Sequence, residues 1–127
     1  MSTPPARILW RQSDAARRAG DPARAADGLR ELLRREPAGP QAQLAAFTLG
    51  KLELDALDRP DLAAAHFRLV ADVPNAPLAE HALVRLVEAE QRRGMRDEAL
   101  RAARAYLERY PRGRFRGQMT FVLSEAP

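Results

Sequence analysis

Three prolines set the frame of this chain. Pro37, Pro74 and Pro111 stand 37 residues apart, and then 37 again. A fixed period of that length marks a repeat architecture, in which each unit buries its apolar face only against its neighbours. Other residues keep the same step. Gly20 and Gly94, and Ala25 and Ala99, are two periods apart; Leu32, Leu69 and Tyr106, and Leu33, Val70 and Leu107, match in all three units. The segments GDPARAADGLRELLRREP, LDRPDLAAAHFRLVADVP and GMRDEALRAARAYLERYP then align without a gap.

Each segment reads as a helix with punctuation at both ends. Gly20 suits the left-handed end of a preceding helix, Asp21 suits an N-cap, and Pro22 suits the first helical position, where its missing N–H is no loss. Ala25, Ala26, Leu29, Leu32 and Leu33 then recur at the spacing of one buried helical face. The second segment opens at Pro60 and is expected to bury Leu62, Ala63, Phe67, Leu69 and Val70. In the third, Gly94 ends a helix, Asp97 and Glu98 favour the positive end of the next, and Ala99, Leu100, Ala103, Tyr106 and Leu107 form the stripe.

Three further helical stretches lie between these. Residues 6–19 carry Ile8, Leu9, Ala15, Ala16 and Ala19; residues 40–57 carry Leu44, Ala45, Ala46, Leu49, Leu52 and Ala56; residues 77–93 carry Leu78, Ala82, Leu83, Leu86, Val87 and Ala89. The linkers Pro37-Ala-Gly-Pro40 and Pro74-Asn-Ala-Pro77 are short, so neighbouring helices must run antiparallel. No stretch alternates as a strand does. The expectation is an all-α solenoid of three helix pairs, 6–19/22–36, 40–57/60–73 and 77–93/96–110. Phe115, Met119, Val122 and Leu123 add a capping helix over 114–124, which Gly117 weakens by roughly 1 kcal/mol relative to Ala. The whole is expected to be one domain, 1–127, with repeats 6–39, 40–76 and 77–113.

Composition removes several kinds of chemistry. The absence of cysteine excludes disulfides, thiolate metal sites and cysteine nucleophiles. No apolar run approaches the roughly 20 residues of a membrane span. Met1–Pro5 has no basic region leading into an apolar one, so no signal peptide is expected there. The net charge of +4 rests almost entirely on arginine, Lys51 being the single lysine. Those arginines are scattered between acidic residues, the pattern of solvated helix faces and not of a nucleic-acid stripe. Arg109, Arg112, Arg114 and Arg116 are the exception. They suit either a helix C-terminus, where they complement the dipole, or an acidic partner or membrane surface.

No catalytic constellation stands out. His66 falls in an apolar helical stretch and is expected to be packed; His81 falls near a helix start and is expected to be exposed. Neither lies in a metal-binding motif, no serine sits in a nucleophile turn, and no glycine-rich phosphate loop is present. Glu88 and Glu90 are expected on a solvated helix face. The chain is therefore read as non-catalytic, with no cofactor and no metal.

The Gly…Ala…Pro order, with a small residue midway along the first helix, resembles the tetratricopeptide repeat. Repeats one and three have Gly20…Ala25…Pro37 and Gly94…Ala99…Pro111; repeat two has Leu49-Gly50 but Leu57 and Leu62 where Gly and Ala are expected. Ser13 and Val87 stand at the small position of the other two. The period exceeds the usual 34 or so residues. The phrases LAAFTLGKLELDALDRPDLAAAHF and ALRAARAYLERYP are similar to the repeat region of FecR-like sigma-factor regulators, and more loosely to TolA-binding and outer-membrane-assembly lipoproteins. That resemblance implies a bacterial envelope signalling role, a periplasmic location, and a fragment or detached relative, since the FecR domain and membrane helix are not in this sequence. Outside that group a cytoplasmic location is the expectation.

The resemblance also implies a right-handed stack whose first helices line a concave protein-binding groove. Carried over residue by residue, that groove takes Arg7, Trp10, Asp14 and Arg17 from the first pair. The second adds Leu44, Phe47, Lys51 and Leu54, and the third His81, Val84, Glu88 and Gln91. Trp10 and Phe47 suit core and groove alike. The Lys/Asn clamp of chaperone-binding relatives is not matched, because Trp10, Asp14, Phe47 and Lys51 occupy those places. The expected partner is a protein or peptide, with a homo-oligomer or packing on flanking domains as the alternative.

Overall fold

The computed structural model describes residues 4–125, which form seven helices: α1 (Ala6–Arg18), α2 (Pro22–Arg35), α3 (Pro40–Asp55), α4 (Pro60–Ala71), α5 (Ala79–Arg92), α6 (Arg96–Arg109) and α7 (Arg116–Ser124). Each helix packs on the next along the chain, giving an all-α solenoid of three pairs and a seventh helix. The local signals explain the boundaries. Asp21 Oδ1 accepts a hydrogen bond from the Arg24 N–H at 3.1 Å, and Pro22 opens α2. Gly20 and Gly94 take φ of 77° and 74° where α1 and α5 end. Pro40 and Pro60 open α3 and α4. Pro77 does not open α5. It lies in a turn, and α5 starts two residues later, at Ala79.

The middle repeat departs from the ungapped alignment. First helices do keep the 37-residue step: Leu9, Ala46 and Leu83 are buried, as are Ala16, Glu53 and Glu90. Second helices step by 38 and then 36. Ala25, Ala63 and Ala99 are buried at that spacing, and so are Leu29, Phe67 and Ala103, and Leu32, Val70 and Tyr106. Leu69, expected in the core, is instead 61% exposed. The extra residue sits in the α3–α4 loop, where Asp58 has φ 52°. Aspartate tolerates the left-handed region better than most residues. Gly20, Asp58 and Gly94 therefore share one role, and Ala63, not Leu62, fills the alanine position. Arg59 follows, and its guanidinium, hydrogen-bonded to Asp61, holds that carboxyl below the ordinary aspartate range.

The same 38/36 spacing picks out the joints between pairs. Arg30 on α2 donates to Glu53 on α3 at 3.4 Å, and Arg68 on α4 donates to Glu90 on α5 at 3.3 Å. Both glutamates are fully buried. A carboxylate removed from water needs donors around it, and each has a second one. His66 Nδ1 lies 2.6 Å from Glu53 Oε1, and Arg93 Nη1 lies 2.7 Å from Glu90 Oε1. Glu90 is thus no solvated surface residue. It lies at the junction of α4 and α5, beside the buried Leu86, Val87 and Ala89. In the first pair the motif is incomplete, since Ala16 occupies the glutamate place in α1; the place one period beyond Glu90 falls at Pro127, outside the described residues.

Apolar burial does the rest. One cluster joins α1, α2 and α3 around Ala25, Leu29, Leu32, Leu49 and Leu52; a larger one runs from α3 to α7 around Phe67, Val70, Leu86, Val87 and Tyr106. Leu33 packs against both. Each fully buried Leu or Phe contributes roughly 1.5–3 kcal/mol. Gly50 lets α3 and α4 close on each other. A Cβ there would stand 2.7–3.0 Å from the Phe67 ring, which is itself held edge-on by Phe47 at 5.7 Å.

Two glycine substitutions should therefore act in opposite directions. Gly50→Ala is expected to destabilise the domain by about 1–2 kcal/mol despite alanine's better helix propensity. Gly117→Ala, with open space around its Cβ, is expected to stabilise by about 0.5–1 kcal/mol. Urea unfolding of the two variants beside wild type measures both.

Candidate binding face

The predicted groove residues divide into three groups. Arg7, Arg17 and Gln91 are exposed; Trp10, Asp14, Lys51, His81 and Glu88 are half-buried; Phe47, Leu54 and Val84 are buried. Leu44 is 46% exposed, the most open apolar side chain of the set. Leu54 is a correction. At 1% exposure it belongs to the core and offers a partner no side-chain surface. The physical reason is that α3 packs against both α2 and α4, so most of its circumference is taken.

What remains open on the first helices is a mosaic of paired charge around aromatic and aliphatic carbon. Trp10 packs partly against the first core cluster. Asp14 accepts from Arg17 at 2.9 Å. Lys51 Nζ sits 5.1 Å from the centre of the Phe47 ring, a cation–π contact that keeps the ammonium at the surface and the ring beneath it. Glu88 meets Arg85 at 2.8 Å and Arg92 at 3.8 Å. His81 is not freely exposed. Its ring lies edge-on to Phe115, centroids 5.2 Å apart, because the α6–α7 turn folds back over it.

Two residues that sequence reasoning passed over tie α5 to α3. Arg92 Nη1 donates to the Leu54 carbonyl at 2.7 Å, and Arg85 pairs with Asp55 while its guanidinium lies 5.8 Å from the Phe67 ring centre. Their signal was the Arg–x–x–Glu–x–x–x–Arg spacing of Arg85, Glu88 and Arg92, which puts all three on one helical face. The Arg-rich turn stays at the surface: Arg109, Arg112, Arg114 and Arg116 are exposed, with Arg109 over Tyr110 and Arg114 over Phe115 at 5.5 Å each.

That turn is fastened by Tyr106. Its hydroxyl donates to Glu80 Oε2 at 2.6 Å and accepts the Phe115 N–H at 2.9 Å, joining α6, α5 and the start of α7. Gly113 completes the clasp, since a Cβ there would collide with the hydroxyl and the Glu80 carboxylate. Burial, and then the hydrogen bond to Glu80, push the phenol up to about 12.

Among the described residues, no three His, Asp or Glu side chains could hold a metal ion, and no helix is long and apolar enough to cross a membrane. Antiparallel helix pairs stacked through repeated joints define a helical-repeat scaffold. The family model described as Tetratricopeptide repeat matches residues 7–38 and 81–113, the first and third pairs and just over half of the chain. The chain belongs to the tetratricopeptide repeat family. The pair that the match leaves out is the one with Asp58 at the glycine place and the lengthened loop. No curated protein matches the chain.

The Tyr106 clasp should show itself at high pH. Below pH 10 the phenol is neutral in folded and unfolded chains alike. Between pH 10 and about 12 the unfolded chain ionises first, so the clasp's stabilisation is present below pH 10 and is lost as pH rises through the folded value. At about 1.4 kcal/mol per pH unit, the stability gap between wild type and Tyr106→Phe is expected to close by about 2 kcal/mol between pH 9 and 12. Urea unfolding at each pH reads this directly.

Proposed function

We propose that the chain is a non-catalytic protein-interaction scaffold whose first-helix face, along α1, α3 and α5, holds a peptide or helix of a partner. The observation that carries the reading is the Leu44–Phe47–Lys51 strip. It combines an exposed Leu44, an aromatic ring under an ammonium, and flanking charge on one helix. Apolar side chains of a partner would lie along Leu44 and beside Trp10, and an acidic one would meet Lys51. Glu88, already neutralised by Arg85 and Arg92, would help set orientation more than affinity. Phe47 and Val84 would act as the floor beneath Lys51 and Glu88. The wording similar to FecR-like regulators supports a partner in bacterial envelope signalling.

The experiment is selection from a random peptide display library, followed by binding measurements with Leu44→Asp and Lys51→Glu. Both positions are open enough for the variants to keep wild-type helicity and melting temperature. The expected result is a consensus that pairs apolar residues with an acidic one, bound at least tenfold more weakly by either variant. Peptides bound equally well by both folded variants would place recognition elsewhere.

A further inference from the structure

Arginines along the helices are commonly matched. Arg17, Arg34, Arg85 and Arg101, for example, each pair with a carboxylate. Arg109, Arg112, Arg114 and Arg116 differ. All four are exposed, and among the described residues none forms an ion pair. The sequence has no acidic residue between Glu108 and Glu125. Helix stability does not account for them. Arg109 alone lies at a helix C-terminus, where a cation complements the dipole. Arg114 and Arg116 lie at the start of α7, the positive end, with no acidic residue in its first turn. The two earlier turns between pairs, 36–39 and 72–78, carry one carboxylate each, Glu36 and Asp72, and no arginine.

The backbone that carries these arginines is firmly held. The Gly113 N–H donates to the Tyr110 carbonyl at 2.9 Å around Pro111, and the Arg116 N–H donates to the Gly113 carbonyl at 3.1 Å. The Tyr106 hydroxyl accepts the Phe115 N–H. Two guanidiniums rest on half-buried rings, Arg109 on Tyr110 and Arg114 on Phe115. A guanidinium stacked in this way keeps its N–H edge for an incoming oxyanion. Arg109 and Tyr110 also border an open cavity with Asn75 and Asp72, the one carboxylate on that rim. Glu80, under Gly113, is already engaged by the Tyr106 hydroxyl. The openness of the turn does not depend on what packs against α7. Asn75 and Pro77, one period before Arg112 and Arg114, are exposed although α6 packs on α5.

We propose that the α6–α7 turn is a second docking site, which takes an acidic segment of a partner protein on Arg109, Arg112 and Arg114. Carboxylates match the forked guanidinium edge, and a turn that is already formed loses little freedom on binding. A nucleic acid is held by a long basic track or by open rings on which bases stack. Here the unmatched cations are gathered on one turn, and Tyr110 and Phe115 lie half-buried beneath them. A membrane surface calls for apolar side chains projecting beside the basic ones. Phe115 instead faces His81 and Tyr106, and the exposed Phe121 lies more than a turn further along α7. The site is separate from the Leu44–Phe47–Lys51 strip and stands or falls apart from peptide binding there.

Fluorescence anisotropy of a labelled glutamate-rich peptide tests it. The expected result is binding that weakens as salt is added and falls at least tenfold when Arg112→Glu and Arg114→Glu are combined. Arg11→Glu with Arg18→Glu makes the same change in net charge at exposed positions of α1 and should leave the affinity near that of wild type. Lys51→Glu should do the same, which separates this site from the strip on α3. Arg112→Gln with Arg114→Gln replaces the charge reversals should they lose helicity. A wild type that does not bind at low salt overturns the proposal. So does an equal loss in the α1 double variant, or a loss in Lys51→Glu in place of the turn variant. Tighter binding of duplex DNA or of phosphatidylserine vesicles through the same arginines overturns the choice of partner.

Discussion

The register of this stack depends on how an arginine from one pair meets a buried glutamate of the next. Arg30 with Glu53 and Arg68 with Glu90 are the two complete examples, and each glutamate has a further donor in His66 or Arg93. The burial of a carboxylate is costly, and ion pairs of this kind add little net stability compared with apolar packing. Their effect is on register. A helix that slid by one residue would leave a charge in the core without its donors, which costs far more than a lost methyl contact. Alanine-rich helices need such a device. Ala25, Ala26, Ala45, Ala63, Ala64, Ala102 and Ala103 pack closely but discriminate weakly between neighbouring registers.

Much of this was legible in the sequence. The seven helices, their caps and the pairing follow from prolines, glycines and apolar spacing, and the observed boundaries lie close to those expected. The register of the middle pair was hidden by the prolines themselves. Pro37, Pro74 and Pro111 mark where helices stop, and loops adjust without moving them. The core keeps a different count, and three sets of residues carry it: Ala25, Ala63 and Ala99; Gly20, Asp58 and Gly94; Arg30, Arg68 and Arg104. An aspartate in a left-handed turn does not look like a glycine in a string of letters, so repeat two seemed to depart from a pattern that it keeps.

The binding face was only half legible. Helical spacing says which residues share a face, but not how much of that face the neighbours consume. Leu54 and Leu44 are ten residues apart on one helix. Leu54 lies in the core, while Leu44 stays open. Glu88 and Glu90 show the same limit at closer range. Two residues apart on α5, they point to different surroundings, one toward a half-open arginine pair and the other into the α4 joint. His81 shows a third form of it, since the ring is covered by a residue more than thirty positions away.

The joint also has a direction. In both examples the donor comes from the earlier helix and the acceptor from the later one. The second and third pairs carry an incoming glutamate and an outgoing arginine; the first carries only the arginine, with Ala16 at the other place. Tandem duplication of the second or third pair would recreate a complete joint at the new seam. Duplication of the first would set Arg30 against alanine. Lengthening by the second or third pair thus preserves the ion pair at every new seam, and lengthening by the first does not.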